Sequence, residues 1–440
     1  MSEELGRMMV GAGQSDITPP IGTELSGYFH TRISDGVIIP LRAKAVVVGE
    51  GSGRCALVAL DLITVTAELT GQVRELVEAA TGMPGENVML CATHTHTGPN
   101  PRRGGTVKRN EAYMAELPKM ISKAVEIAAS NQRSCLMCIG TEHEEGLAYV
   151  RRFRMENCSE QFGPGGSLKC EGPAGSTDPI FGGIVFKEEI TSKPFAVICN
   201  YTVHIDVTSG NKISADFPGV MQETLQKIYG DDLIVLYVQG ACGNINHVPY
   251  LQNDPFPRSG VLKSEQMGRA FAGKAMAIIE KARPSKTTAY GTVREILDVP
   301  KYPKNDMVVQ MRVAQAKAKV NSTSPGGSEK SLLDRYDDYS DEGFDKREIQ
   351  AMRFGDAVFC GAPGELFVEW GLEIKKWSPF KFTFIAELCN DAVGYIPTFE
   401  AFLRGGYEST PIVSVRSTPA LGQMVADANF RNVRKLFELK

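Results

Sequence analysis

No excess of either charge marks this chain. Its 48 Lys and Arg stand against 52 Asp and Glu, a formal net charge of -4. That balance gives no electrostatic reason to expect nucleic acid or an anionic membrane surface as partner, and points instead to a small molecule. Long apolar runs are missing too: nowhere do about 18 apolar residues stand together, the length a membrane-spanning helix needs. The opening Met-Ser-Glu-Glu-Leu-Gly-Arg has no basic start followed by an apolar core, so no secretory segment is read there. Cysteine is not short, at ten residues, but it is dispersed, several falling inside apolar strand-like runs where a reduced thiol behaves as a small hydrophobe. The one Cys-x-x-Cys, Cys135 to Cys138, has no second pair at zinc-finger spacing and reads as structural. The expectation is a soluble, unprocessed, cytoplasmic protein. No internal repeat and no composition break divides the 440 residues, so a single domain over 1–440 is expected.

Histidine is scarce, with six in the chain, yet two stand two residues apart in Thr93-His94-Thr95-His96-Thr97-Gly98-Pro99. This element follows the apolar run Val88 to Ala92, which reads as a buried strand ending in a loop. In extended backbone, alternate side chains point the same way, which lets His94 and His96 face one pocket. Imidazole serves both as a zinc ligand and as a general base near neutral pH. Two hydrogen-bonded loop histidines are the plainer account.

Strand-like and helix-like runs alternate along the chain, predicting an α/β fold of mixed sheets flanked by helices, with the site at strand ends. A hairpin is expected from Ala43–Val48 and Ala56–Leu60, and helices over about 67–80, 111–129 and 429–439. The Gly-, Ser- and Pro-rich stretch 158–177 reads as a long loop, and 321–345 as a mobile surface insertion after a helix at about 307–320.

Four more apolar runs end in chemistry-bearing residues: one at Asn200 to His204, one at Gly240 to Asn244, one at Pro363-Gly364-Glu365, and one at Asn390, Asp391 and Tyr395. Ligands of open α/β sheets bind beyond strand ends, so these segments are expected to converge. Two histidines and a carboxylate make a ligand set of the kind catalytic zinc uses, suited to hydrolysis of an amide or ester. The Gly240–Asn244 loop offers a backbone nest for an oxyanion, or else a tight strand-to-helix turn.

The ordered set resembles the N-terminal catalytic domain of the neutral/alkaline non-lysosomal ceramidases. Val10-Gly-Ala-Gly-Gln-Ser-Asp-Ile-Thr-Pro-Pro20, Gly27-Tyr28, the Thr93–Pro99 element, Asn200 to His204, Ile213 to Asp216, Pro363 to Glu365, Gly394 to Thr398 and Gly406-Tyr407-Glu408 follow in that family's order. The resemblance implies a zinc-dependent hydrolase with His94, His204, Glu365 and Tyr395 as metal ligands. It gives His96 supporting or acid/base work, and places Arg151 against the substrate's polar atoms or a developing oxyanion. Without it, Arg151 and Arg152 read as a solvated pair; Asp61 and Asp216 are either supports behind the ligands or simple strand-end caps. The chain departs from the family at Gly240-Ala-Cys-Gly-Asn244, where Gly243 takes the place of the ceramidases' catalytic serine. Chemistry is then expected from metal-activated water, with Cys242 lacking an evident base partner. No C-terminal immunoglobulin-like domain is expected, and a small or amphiphilic amide, ester or lactone is expected in place of ceramide. Two other readings compete: a metal-dependent isomerase or lyase on a sugar-like compound, and a non-catalytic binder with the same fold. Oligomeric state is not legible.

Overall fold

The computed structural model describes residues 7–439 apart from 29, 104–106, 253–254, 321–326 and 338. Its elements run β1 (Met8–Asp16), β2 (Arg42–Val48), β3 (Cys55–Leu60), α1 (Ala67–Thr81), β4 (Val88–Ala92), α2 (Glu111–Ser130), β5 (Arg133–His143), β6 (Ile180–Glu188), β7 (Pro194–Tyr201), α3 (Asp216–Tyr229), β8 (Ile234–Gln239) and α4 (Val261–Lys281). Then follow β9 (Tyr290–Pro300), α5 (Met307–Val320), α6 (Gly327–Tyr336), β10 (Phe344–Phe354), β11 (Ala357–Gly361), α7 (Val368–Trp377), β12 (Phe382–Ala386) and α8 (Leu421–Phe437), with shorter strands between.

The large sheet has the order β8-β7-β6-β5-β1-β2-β3-β4. Its interior pairs are antiparallel, while both edge pairs, β7 with β8 and β3 with β4, are parallel. A second sheet, β9-β10-β11-β12, ends in another parallel pair, β11 with β12. Strands of both sheets share one apolar layer containing Met89, Phe186, Leu236, Phe359 and Phe384, so every residue of β4 and β7 is buried. Burial on both faces explains why those strands read as unbroken apolar runs. The large sheet curls until β8 comes against β2, β3 and β4, which brings the carboxyl ends of its two edges together.

Helices cover the outer faces. Thr66 caps α1 by accepting from the Leu69 N–H, and the helix stops at Gly82, whose φ of 69° is left-handed. Its buried Leu69, Val73 and Val77 recur every fourth residue, one stripe against the sheet. α2 packs on β1 and β2, α3 and α4 cover the β5–β8 side, and α8 lies on the second sheet. The 43–60 hairpin and the first two helices form as expected.

Three expectations need correction. The 158–177 loop contains strands Glu160–Phe162 and Cys170–Pro173, which flank Arg152–Met155 in a three-stranded sheet. A polar segment so placed satisfies its backbone groups by pairing rather than by hydration. Within 321–345, α6 packs the buried Leu332 into a cluster with Val309, Val313 and Tyr302, while 321–326 and 338 lie outside the described residues. The last helix begins at Leu421, eight residues before the expected Asn429. Cys135 and Cys138 point into different apolar clusters, Cys135 into that between the sheets and Cys138 into that under α4; all ten cysteines are free.

Candidate metal centre

β4 ends at Ala92, two residues before His94, whose backbone takes a φ of 76°. A left-handed conformation in a residue bearing a side chain costs on the order of 1–3 kcal/mol and persists only where the surroundings enforce it. Here the His94 N–H donates to the Leu62 carbonyl, and the ring Nδ1 lies 2.7 Å from the Ile63 carbonyl. β7 leads to His204, whose Nδ1 lies 3.0 Å from the Cys242 carbonyl. A carbonyl only accepts, so both Nδ1 atoms carry the proton and both Nε2 atoms are bare lone pairs. Those two Nε2 atoms face each other at 3.1 Å. The Nε2 of His96 is 3.2 Å from that of His94. Glu365 directs Oε2 to 3.6 Å from both His94 and His204, and this buried oxygen has no hydrogen-bond partner.

Four groups from three strand ends thus aim electron pairs at one point. Without a cation this arrangement is repulsive, and an orphaned buried carboxylate oxygen is a further penalty. The donor chemistry fits a borderline-soft divalent metal such as zinc. Burial pushes the proton affinity of His94, His96 and His204 down, His96 to about 3, which keeps all three neutral as ligands must be.

Tyr395 reaches the centre by strand register. The short strand Glu365–Leu366 pairs in parallel with Tyr395–Ile396, setting Glu365 beside Tyr395. The Tyr395 hydroxyl accepts from Arg151 Nη2 at 3.1 Å and contacts the Tyr407 hydroxyl. Burial, followed by the Glu365 charge, pushes that hydroxyl's pKa well up. Arg151 and Arg152 are no solvated pair: they are 3% and 1% exposed, and Glu408 bridges them, at 3.0 Å to Arg151 Nε and 2.8 Å to Arg152 Nη1. Arg151 also donates to the Gly243 carbonyl at 2.8 Å.

Gly243 has a packing reason. A Cβ there would stand 2.5 Å from the Glu365 carbonyl oxygen, so only glycine lets this loop lie against the Glu365 strand. Its N–H donates to the Leu366 carbonyl at 2.9 Å, and the Gly240 and Cys242 N–H groups are bonded to Tyr201 and Glu387. The expected oxyanion nest is therefore corrected: these N–H groups hold the loop down and face no substrate. Gly27, with φ of 114°, serves similarly, since its Cβ would come within 2.6 Å of the His96 side chain.

The sequence reading passed over Glu387. Fully buried, it accepts from the Cys242 and Leu366 N–H groups at 3.0 and 3.1 Å and from the Cys242 thiol at 2.9 Å, clamping the two loops that carry His204's carbonyl partner and Glu365. Its signal was a carboxylate standing one residue past β12. Cys242 does have neighbours, with Sγ 3.2 Å from His204 Nδ1, but burial and Glu387 push its thiol pKa well up, against thiolate chemistry. Asp61 and Asp216 touch none of the donors: Asp61 accepts from Arg42 N–H and Lys44, and Asp216 from Thr208 and Phe217 N–H.

Known proteins agree with this architecture. Residues 8–114 match the family model of neutral/alkaline non-lysosomal ceramidase, N-terminal. The structure is similar to that of neutral ceramidase from Pseudomonas aeruginosa, with a TM-score of 0.75 and 17% identity over 98% of this chain and 75% of that one. It is also similar to a ceramidase complexed with C2, with a TM-score of 0.76 and 16% identity over 99% of this chain and 76% of that one. No curated protein sequence matches the chain. Residues 8–114 thus carry the signature of the neutral/alkaline ceramidase N-terminal domain, and the described chain as a whole has the neutral-ceramidase fold.

Proposed function

We propose that this protein is a zinc-dependent hydrolase that cleaves the C–N bond of a small acylated compound, with related esters or lactones as further substrates. The observation carrying the proposal is the convergence of His94 Nε2, His204 Nε2 and Glu365 Oε2 within 3.6 Å of one another. Tyr395 would complete the ligand set, and His96, whose Nε2 lies in the same cluster, would support the ion or serve in acid/base work. Bound there, zinc would acidify a water and polarise the substrate carbonyl.

The chain's own residues do the rest. Arg151, held by Glu408 and the Gly243 carbonyl, presents its guanidinium beside the Tyr395 hydroxyl, where it stabilises negative charge developing on the carbonyl oxygen. Burial alone would lower its pKa, but Tyr395, Glu408, Tyr407 and Glu365 together raise it well above the ordinary value, so the charge is permanent. Tyr28, Ile63, Tyr407 and Val413 line the chamber beside these groups. Gly243 offers no hydroxyl, so the attack is assigned to metal-activated water. Ten free cysteines accord with a reducing compartment, and a cytoplasmic location is part of the proposal. Among the described residues no helix is long and apolar enough to cross a membrane.

The test is a panel of N-acyl compounds incubated with zinc-loaded protein and followed by mass. Hydrolysis adds the mass of water across the two products and stops on chelation. Unchanged mass with rearranged structure would favour isomerisation, and no change across amides, esters and lactones would leave only a binder.

A further inference from the structure

The cavity over the donor cluster continues outward. An inner chamber of about 470 Å³ contains His94, His96, Glu365 and Tyr395. A vestibule of about 650 Å³ adjoins it, and the two share Ser26, Tyr28, Ile63, Asp334 and three arginines, Arg102, Arg335 and Arg416. Two other arginines of the vestibule are neutralised: Arg103 pairs with Glu68 at 3.0 Å, and Arg347 pairs with Asp345 at 2.9 Å and Asp391 at 2.8 Å. Among the described residues, no carboxylate lies within the 4.0 Å of an ion pair from Arg102, Arg335 or Arg416. The Nε of Arg102 is buried without a hydrogen-bond partner. Asp334, next to Arg335 on α6, is exposed and is the one acid in the shared lining.

Partly buried like charges repel and lose hydration, so the cluster is unfavourable as it stands. Arg416 registers this directly: burial, followed by Arg102, Arg335 and Arg347, holds its guanidinium down to about 10. Three unpaired guanidinium forks around one neck complement carboxylate or phosphoryl oxygens, which accept such donors in pairs. The three come from separate segments, the loop after Pro101, α6 and the stretch before Ser417, so no single structural need explains their meeting.

We propose that Arg102, Arg335 and Arg416 form an anion subsite, and that the substrate is an acylated compound whose other end carries a carboxylate or phosphoryl group. The subsite rests on the hydrolase reading only in saying which bond lies over His94, His204 and Glu365. Anion binding at the neck is independent of it. A neutral lipid such as a ceramide offers this neck no charge.

The test is titration calorimetry of the full chain with three probes of one acyl length: an N-acylglycine, its uncharged methylamide, and an N-acyl phosphoethanolamine. At least one anion should bind ten-fold or more tightly than the methylamide, with the stronger anion identifying the group. That preference should shrink with added salt and survive chelation, which separates the arginines from a metal as the binding group. R335Q/R416Q should reduce it to two-fold or less, while R434Q, at an exposed position of α8, should leave it in place; R335Q alone serves if the double variant folds poorly. Equal binding of all three probes, or equal loss for charged and neutral probes in the variants, would overturn the subsite. Mass analysis of the same mixtures keeps the readings apart: tight anion binding without cleavage defeats the hydrolase and keeps the subsite, whereas indifferent cleavage of all three does the reverse.

Discussion

The inner chamber and the vestibule are built by opposite means. Around the donor cluster the framework is tethered: Arg151 and Arg152 by Glu408, His94 and His204 by backbone carbonyls, and the Cys242–Gly243 loop by Glu387. Around the vestibule, Arg102, Arg335 and Arg416 stand on loops and a helix with no acidic partner among the described residues. A tethered site keeps its geometry with or without a ligand, as bond-breaking chemistry requires, while an untethered ring of like charge is completed by what it binds. The difference separates what the protein does from what it selects.

The largest break of this comparison is His204→Ala. It should remove bound metal and lower hydrolysis by at least about 100-fold, the upper range for loss of a mere supporting residue. Metal analysis and initial rates check it, and R335Q, on the vestibule side, should leave metal content untouched. Next is Gly243→Ser, which drives a Cβ to 2.5 Å from the Glu365 carbonyl. Overpacking of this kind costs about 1–3 kcal/mol. Denaturant unfolding should show the loss and turnover should fall; a stable, faster variant would break the packing account.

A third effect concerns protons. His96 has its folded pKa depressed from 6.5 to about 3, and His94 and His204 are depressed as well. The unfolded chain therefore binds protons that the fold excludes. In metal-stripped protein, stability should be intact above pH 6.5 and fall as pH drops below it, for His96 until about pH 3. Each such histidine contributes a slope of about 1.4 kcal/mol per pH unit. His96→Gln should remove one proton's worth of slope between pH 6 and 4, measured by urea unfolding (roughly that window from the linkage relation); an unchanged slope would contradict the burial. The smallest effect is expected for Arg103→Ala: its pair with Glu68 is exposed, 64% and 42%, so the urea midpoint should stay within measurement error of the parent's.

The same contrast explains what the sequence made legible. His94, His204 and Glu365 each follow an apolar run, and a strand end in a curled sheet is a fixed address, so their convergence followed from pattern. Tyr395 came only through the family resemblance, since register with Glu365 is invisible before the sheets are paired. Glu387 was passed over because a lone carboxylate near a strand end looks like a cap, and its clamp on two loops depends on how they stack. Arg151 and Arg152 looked solvated because nothing local reveals that Glu408, more than 250 positions on, lies between them. The vestibule arginines have no motif at all: a charge in a loop becomes informative only when tertiary structure denies it a partner. The 158–177 stretch shows the limit of composition, as its Gly and Ser content disguised two short strands whose pairing is dictated by Arg152–Met155.

Everything turns on a single cation at the meeting point of the three lone pairs. Anomalous diffraction from crystals grown with zinc tests this most directly. The account predicts one peak within about 2.0–2.2 Å of His94 Nε2, His204 Nε2 and a Glu365 oxygen. A map with no peak there, or with metal only on surface residues, would contradict it.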